Sequence, residues 1–259
     1  MSFLPTRLLK RCVMLMIPGD RHNKGFSLTE VLLAVAVLSV GMVFVAGTYA
    51  VGVYYTTVSA ERTVAAVVAD EAFAKIRLFG LNPNDSDLLT VRMARYEDVC
   101  VGTIDPNEFA YPSTGSATDK QYWWSALCRD RQPGGRQGSR LVQVTVFVSR
   151  KIGAGSRFPA AGAPRAWPAP MAVQVNDITG GKVLIINDTE QQQWISPGAT
   201  IVDDAGGRMY RVMERDGTDV ELDRPWQGPA SPMRIWVVPP PVDGGRDPCI
   251  AVYQKLMRF

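Results

Sequence analysis

The sequence predicts an α+β protein: a long N-terminal helix, first transmembrane and then amphipathic, packed on an antiparallel β head, with an additional small β-barrel-like module. Three observations carry this. From Phe26 to Val53 the chain is apolar, with Glu30 as its only charge. From Ser59 onward Ala65, Val68, Ala72, Ile76 and Phe79 recur at spacings of three and four, which places them on one face of a helix. After Gly80 the period drops to two: Val142, Val144, Val146 and Val148 alternate with Gln143, Thr145, Phe147 and Ser149, the pattern of a strand.

The first element is the stretch Lys24-Gly25-Phe26-Ser27-Leu28-Thr29-Glu30, which runs directly into Val31-Leu32-Leu33-Ala34-Val35-Ala36-Val37-Leu38. A basic residue, a glycine, a hydrophobic residue, a serine and then a glutamate at the head of an apolar helix resembles the processing site of type IV prepilins and type II secretion pseudopilins. The resemblance covers about 30 residues; Thr29 stands where an aliphatic residue is commoner. It implies cleavage after Gly25 by prepilin peptidase, a membrane aspartyl enzyme that needs a small residue before the scissile bond. Phe26 would become the new amino terminus and be N-methylated. Glu30 would then meet the amino terminus of a neighbouring subunit during assembly. A carboxylate deep in an apolar span costs about 2.5 to 3.5 kcal/mol, so a partner is expected for it. An ordinary signal anchor would leave Glu30 incidental. A secretory signal peptide fits worse, since its apolar core spans only about 7 to 15 residues and cleavage follows that core.

Residues 1–25 read as a leader. It holds Arg7, Lys10, Arg11, Arg21 and Lys24 against Asp20, so the formal +3 of the whole sequence becomes −1 without it. The basic isoelectric point therefore says nothing about nucleic acid. Positive residues stay on the cytoplasmic side of a span, so the expected topology is single-pass in the inner membrane with the C-terminal head outside. Met14 and Met16 are plausible later starts. Cys12 belongs to the leader, whereas Cys100, Cys128 and Cys249 would face a compartment where disulfides persist. One bridge plus a free thiol, in any of three pairings, and three reduced buried thiols are both open.

The helix is expected over residues 26–80, with 26–53 crossing the membrane, a reach of about 42 Å. Gly41, Gly47 and Gly52 weaken it or let helices pack closely. Glu71 and Lys75 form an i to i+4 pair. Gly80 ends the helix, Leu81 packs back, and Asn82-Pro83-Asn84-Asp85 prevents resumption. The head follows over 81–152, with the valine face of 142–148 on the helix stripe. Tyr122, Trp123 and Trp124, with Leu127 and Cys128, cover the stripe's other end. Residues 153–170, rich in proline and glycine, read as a linker. Residues 171–238 contain short strand candidates at 173–175, 182–186, 200–202, 208–213, 218–223 and 233–238. Gly180-Gly181, Gly206-Gly207 and the hairpin dipeptide Asp216-Gly217 separate them. The tail, 239–259, alternates weakly, and its end could return as a strand to the first head region.

No enzyme is expected. The only histidine, His22, lies in the leader, which removes Ser-His-Asp, Cys-His and His-metal chemistry from the mature chain. Asp203-Asp204 and Asp216/Asp219 read as solvated turn acids rather than catalytic or calcium-binding pairs. No phosphate-cradling glycine loop is present, and no cofactor or metal is expected. One charge asymmetry remains. Arg129, Arg131, Arg136, Arg140, Arg150, Lys151, Arg157 and Arg165 face only Asp130 between residues 129 and 170, whereas 177–224 hold ten acids against five bases. Solvated surface, contact between subunits, and contact with a nucleic-acid backbone beside Trp123, Trp124 and Trp167 are three readings of it. The resemblance favours a minor pilin or pseudopilin, with prepilin peptidase, other pilin subunits and the inner membrane as partners. A single-pass anchored extracytoplasmic binding protein that forms no filament is the other class.

Overall fold

The computed structural model describes residues 25–82, 85, 88, 92–116, 119–131, 140–153, 155–229 and 233–259. Residues 1–24, Pro83, Asn84 and Arg136, which carry leader, turn and charge expectations above, lie outside them. The α+β class holds: helix α1 (Leu28–Phe79) is followed by two antiparallel sheets. The chain divides into two compact units, Met1–Tyr54 and Tyr55–Phe259.

In the described part of the first unit, α1 runs unbroken through Gly41, Gly47 and Gly52, and its apolar residues are exposed. An 18-residue window within α1 has a mean hydropathy of 2.5, which together with the helix's length suits a membrane span.

In the second unit four of the five predicted stripe residues, Ala65, Val68, Ala72 and Ile76, are buried and with Ala69 and Phe73 make the core face of α1, while Phe79 is only partly buried against it. Three of these are alanines, which let the helix axis approach the sheet closely. The Gly80 N–H closes on Ile76 O at 3.0 Å with φ at 76°, a conformation that ends the helix without a Cβ penalty. Leu81 is buried and bridges Cys100. Lys75 Nζ lies 3.3 Å from Glu71 and 2.9 Å from Glu108, tying the helix to a 3-10 turn at Pro106–Phe109.

The first sheet contains β1 (Ala94–Arg95), β2 (Ala110–Tyr111), β3 (Tyr122–Asp130) and β4 (Leu141–Arg150). A four-residue helix, α2 (Tyr96–Val99), follows β1. The last strand of the chain, β12 (Cys249–Arg258), completes it in the order β1-β3-β4-β12, with β2 also on β3. Val142, Val144, Val146 and Val148 share one core with the helix stripe, Trp124 and Cys128.

The second sheet lies between β4 and β12 in the chain. Its strands are β5 (Met171–Val175), β6 (Asp177–Thr179), β7 (Val183–Ile185), β8 (Thr200–Asp203), β9 (Met209–Asp216), β10 (Asp219–Leu222) and β11 (Met233–Val237). A short helix, α3 (Thr189–Gln193), interrupts them. The order is β5-β11-β8-β9-β10-β7-β6. Where a small barrel was expected there is thus a seven-stranded sheet whose two end strands are adjacent in sequence, separated by Asn176. It encloses its own core, including Val173, Leu184, Ile201, Val212, Val220 and Ile235.

Two expectations are corrected. Residues 153–170 are no loose linker: Phe158 and Arg165 exchange backbone hydrogen bonds at 2.8 and 3.0 Å, Trp167 stacks on Trp123, and Phe158 and Ala169 are buried. The segment's apolar residues find partners on the head even though its prolines forbid regular structure. Leu127 does not join the helix-facing core either. With Phe147, Met93, Val202, Trp236 and Val238 it forms a third cluster on the opposite face of β3 and β4, where the second sheet packs. The second unit is therefore layered: helix, five-stranded sheet, seven-stranded sheet.

Candidate processing and assembly site

Gly25, Phe26 and Ser27 precede the first turn of α1 in non-helical conformation. A Cβ built on Gly25 meets nothing within 4 Å, and Phe26 is 82% exposed, so the bond between them is sterically open. Ser27 begins the helix. Its carbonyl accepts the N–H groups of Glu30 at 2.9 Å and Val31 at 3.2 Å, and its hydroxyl oxygen accepts the Thr29 N–H at 3.3 Å. Glu30 falls in the first turn, where the positive end of the helix dipole favours a carboxylate. Sequence reasoning placed Glu30 at the head of the apolar helix and assigned it to a neighbouring subunit, but missed Ser27 as the residue that starts the helix. The signal was present, because Ser27-x-x-Glu30 has the capping-box spacing.

Other residues singled out in the sequence are dispersed. Cys100, Cys128 and Cys249 are all free thiols, the reduced one of the two arrangements left open by the sequence. Cys100 and Cys128 lie in the helix-facing core, whereas Cys249 belongs to the cluster on the sheet's other face; a bridge from it would have to cross the sheet. Burial raises the pKa of all three, which disfavours the thiolate form.

The acids at 203 and 204 are not solvated. Asp204 is buried and its Oδ1 accepts Trp236 Nε1 at 2.8 Å, the Met93 N–H at 3.2 Å and an Arg234 N–H at 3.1 Å, joining the two sheets. Asp203 accepts the N–H groups of Ala205 and Gly206 at 3.0 and 2.8 Å, fixing the β8–β9 turn. Burial pushes its pKa up, the two backbone bonds oppose this, and neighbouring Asp204 adds to it. Asp216 and Asp219 face each other across the β9–β10 hairpin. No group of three or more His, Cys, Asp and Glu residues able to hold a metal occurs among the described residues.

The basic run is largely spent inside the molecule. Arg129 is buried, Arg140 lies 4.0 Å from Asp130, Arg150 lies 3.1 Å from Glu61, and Arg165 lies 2.8 Å from Glu97.

Fold and site together define a class: an apolar N-terminal helix fit for membrane anchoring, with an open glycine bond ahead of it and a β-rich unit behind. Residues 20–46 match the family model of the prokaryotic N-terminal methylation motif, which supports a type IV prepilin-like origin for this N-terminal segment. No curated protein and no solved structure matches the chain.

Proposed function

We propose that the chain is a minor pilin or pseudopilin, a structural subunit of a type IV pilus or type II secretion pseudopilus with no catalytic role. It is made as a single-pass inner-membrane precursor with its N-terminus cytoplasmic and its head outside. Cleavage after Gly25 and methylation of Phe26 follow, and the subunit then joins a filament through α1. The observation that carries this reading is the complete motif placed on an accessible, non-helical peptide directly before an exposed apolar helix. A large head and a helix carrying three glycines favour a minor over a major subunit. The internal pairing of Arg140, Arg150 and Arg165 weighs against nucleic acid as a partner. Mass spectrometry of envelope material tests the proposal: the expected mature chain starts at methylated Phe26. An intact leader, or a start beyond Val53, would sink it in favour of an anchored binding protein.

A further inference from the structure

We propose that a proline-walled pocket beside α3 receives a lysine side chain presented by another protein. Pro159, Pro164, Pro240 and Pro241 wall a cavity of about 220 Å³, and Glu190, Gln193 and Trp194 close it from the α3 side. The pocket lies wholly within the second unit, so it is the same whether or not α1 joins a filament. Local hydrogen bonding builds it. The paired backbone of Phe158 and Arg165 sets Pro159 and Pro164 on one turn, and the Val242 N–H, donating to Arg157 O at 2.8 Å, draws Pro240 and Pro241 alongside. Asp188 Oδ1 accepts the Glu190 and Gln191 N–H groups at 2.9 and 3.1 Å and so starts α3. Trp194 ends that helix and is half-buried against the core of the second sheet.

The lining selects the occupant. Proline brings a carbonyl but no N–H, and the side chains add as donors only the Gln193 amide and the Trp194 indole, so acceptors predominate. Glu190 is the one charged residue in the lining; it is exposed, and no other described residue bonds its carboxylate. The cations close by in the fold are accounted for. Arg165 pairs with Glu97, Arg215 donates to Gln192 O, and Arg157 and Asp243, next to these walls in sequence, are both exposed and offset each other. A lysine ammonium meets these terms, with three donors, no acceptor and one positive charge. Its four-carbon stem packs on proline rings and indole, and the indole face also attracts a cation. A sugar hydroxyl would ask for donors as well as acceptors, and a polyamine for a second carboxylate. The volume falls below the roughly 300 to 1,000 Å³ of sites that enclose a whole small molecule, and suits one side chain of a larger body.

The full chain in nonionic detergent, labelled with nitrogen-15 at tryptophan, should give six indole N–H signals, that of Trp194 being assigned by its loss in Trp194→Phe. Nα-acetyl-lysine methylamide is expected to move the Trp194 signal saturably, with Kd about 1 mM. The norleucine analogue, which lacks the ammonium, should bind about fivefold more weakly. Glu190→Gln should weaken lysine binding about threefold and remove its dependence on salt, while the other five indole signals report an unchanged fold. An unmoved Trp194 signal, equal binding of the norleucine analogue, or undiminished affinity in Glu190→Gln would overturn the proposal. So would tighter binding by the arginine analogue or by spermidine, which would assign the pocket to a guanidinium or to a free polyamine.

Discussion

Glu30 lies in the first turn of α1, where the helix dipole favours its charge, and in the apolar filament core proposed above that interaction alone would not offset its desolvation. Glu30→Ala and Glu30→Gln should therefore leave membrane insertion and cleavage intact but abolish incorporation into sheared filaments, with Glu30→Asp restoring part of it. Normal incorporation of Glu30→Ala would refute pairing as the basis of assembly. A second carboxylate gives a test in the head. Burial raises the Asp247 pKa to about 6, against the hydrogen bond it accepts from the Cys249 N–H and the charges of Arg150 and Arg246. The folded value exceeds the unfolded one, so the folded state takes up the proton first. This residue's contribution to stability thus improves as pH falls from about 6 to about 4, the reverse of an ion-paired aspartate. Asp247→Asn should be more stable than the parent at pH 7.5 by about 1 to 2 kcal/mol, the advantage vanishing near pH 4. Paired denaturant titrations at the two pH values measure it; a difference that does not change with pH would contradict the assignment.

At the scale of elements, the β8–β9 turn shows how local geometry and packing meet. Gly207 has φ at 68°, and a Cβ there would meet the Gln143 side chain, whose amide donates to Gly207 O at 3.1 Å. Gly217 in the β9–β10 hairpin has φ at 54° but open space around it. Both alanine variants should lose about 1 to 2 kcal/mol through left-handed strain, with Gly207→Ala losing more because it also disturbs the contact between sheets. Equal losses in urea titrations would mean that Gln143 simply swings away. The turn also marks where sequence reasoning stopped. The α1 stripe, the valine face of β4 and nearly every strand of the second sheet were legible, because 3.6 and 2 periodicity and glycine punctuation are local signals. The destination of Phe147 was not: alternation says that it faces away from the helix, but only the tertiary fold says that Val202, Trp236 and Val238 await it. Asp203 and Asp204 misled for the same reason, since a turn acid looks solvated until another layer covers it. At the processing site Gly25, Phe26 and Glu30 were readable from the motif, while Ser27 as the helix start escaped notice beside it.

For the whole second unit, a shared cluster between the sheets means that the proline-rich segment does not separate two independent bodies. One cooperative thermal transition is expected for the head. Phe147→Ala should lower its stability by about 3 to 5 kcal/mol without splitting the transition. Two resolved calorimetric peaks would show instead that the seven-stranded sheet stands alone. The pairing of β12 with β4 carries a consequence for how the chain is made. The strand that completes the first sheet follows the whole second sheet in sequence, so β4 waits for its neighbour until the entire insertion has been synthesised. Contacts of such long sequence separation form late. A chain broken off anywhere before Cys249 leaves β4 with a bare hydrogen-bonding edge, and the finished first sheet is thereby a certificate that translation has passed β12.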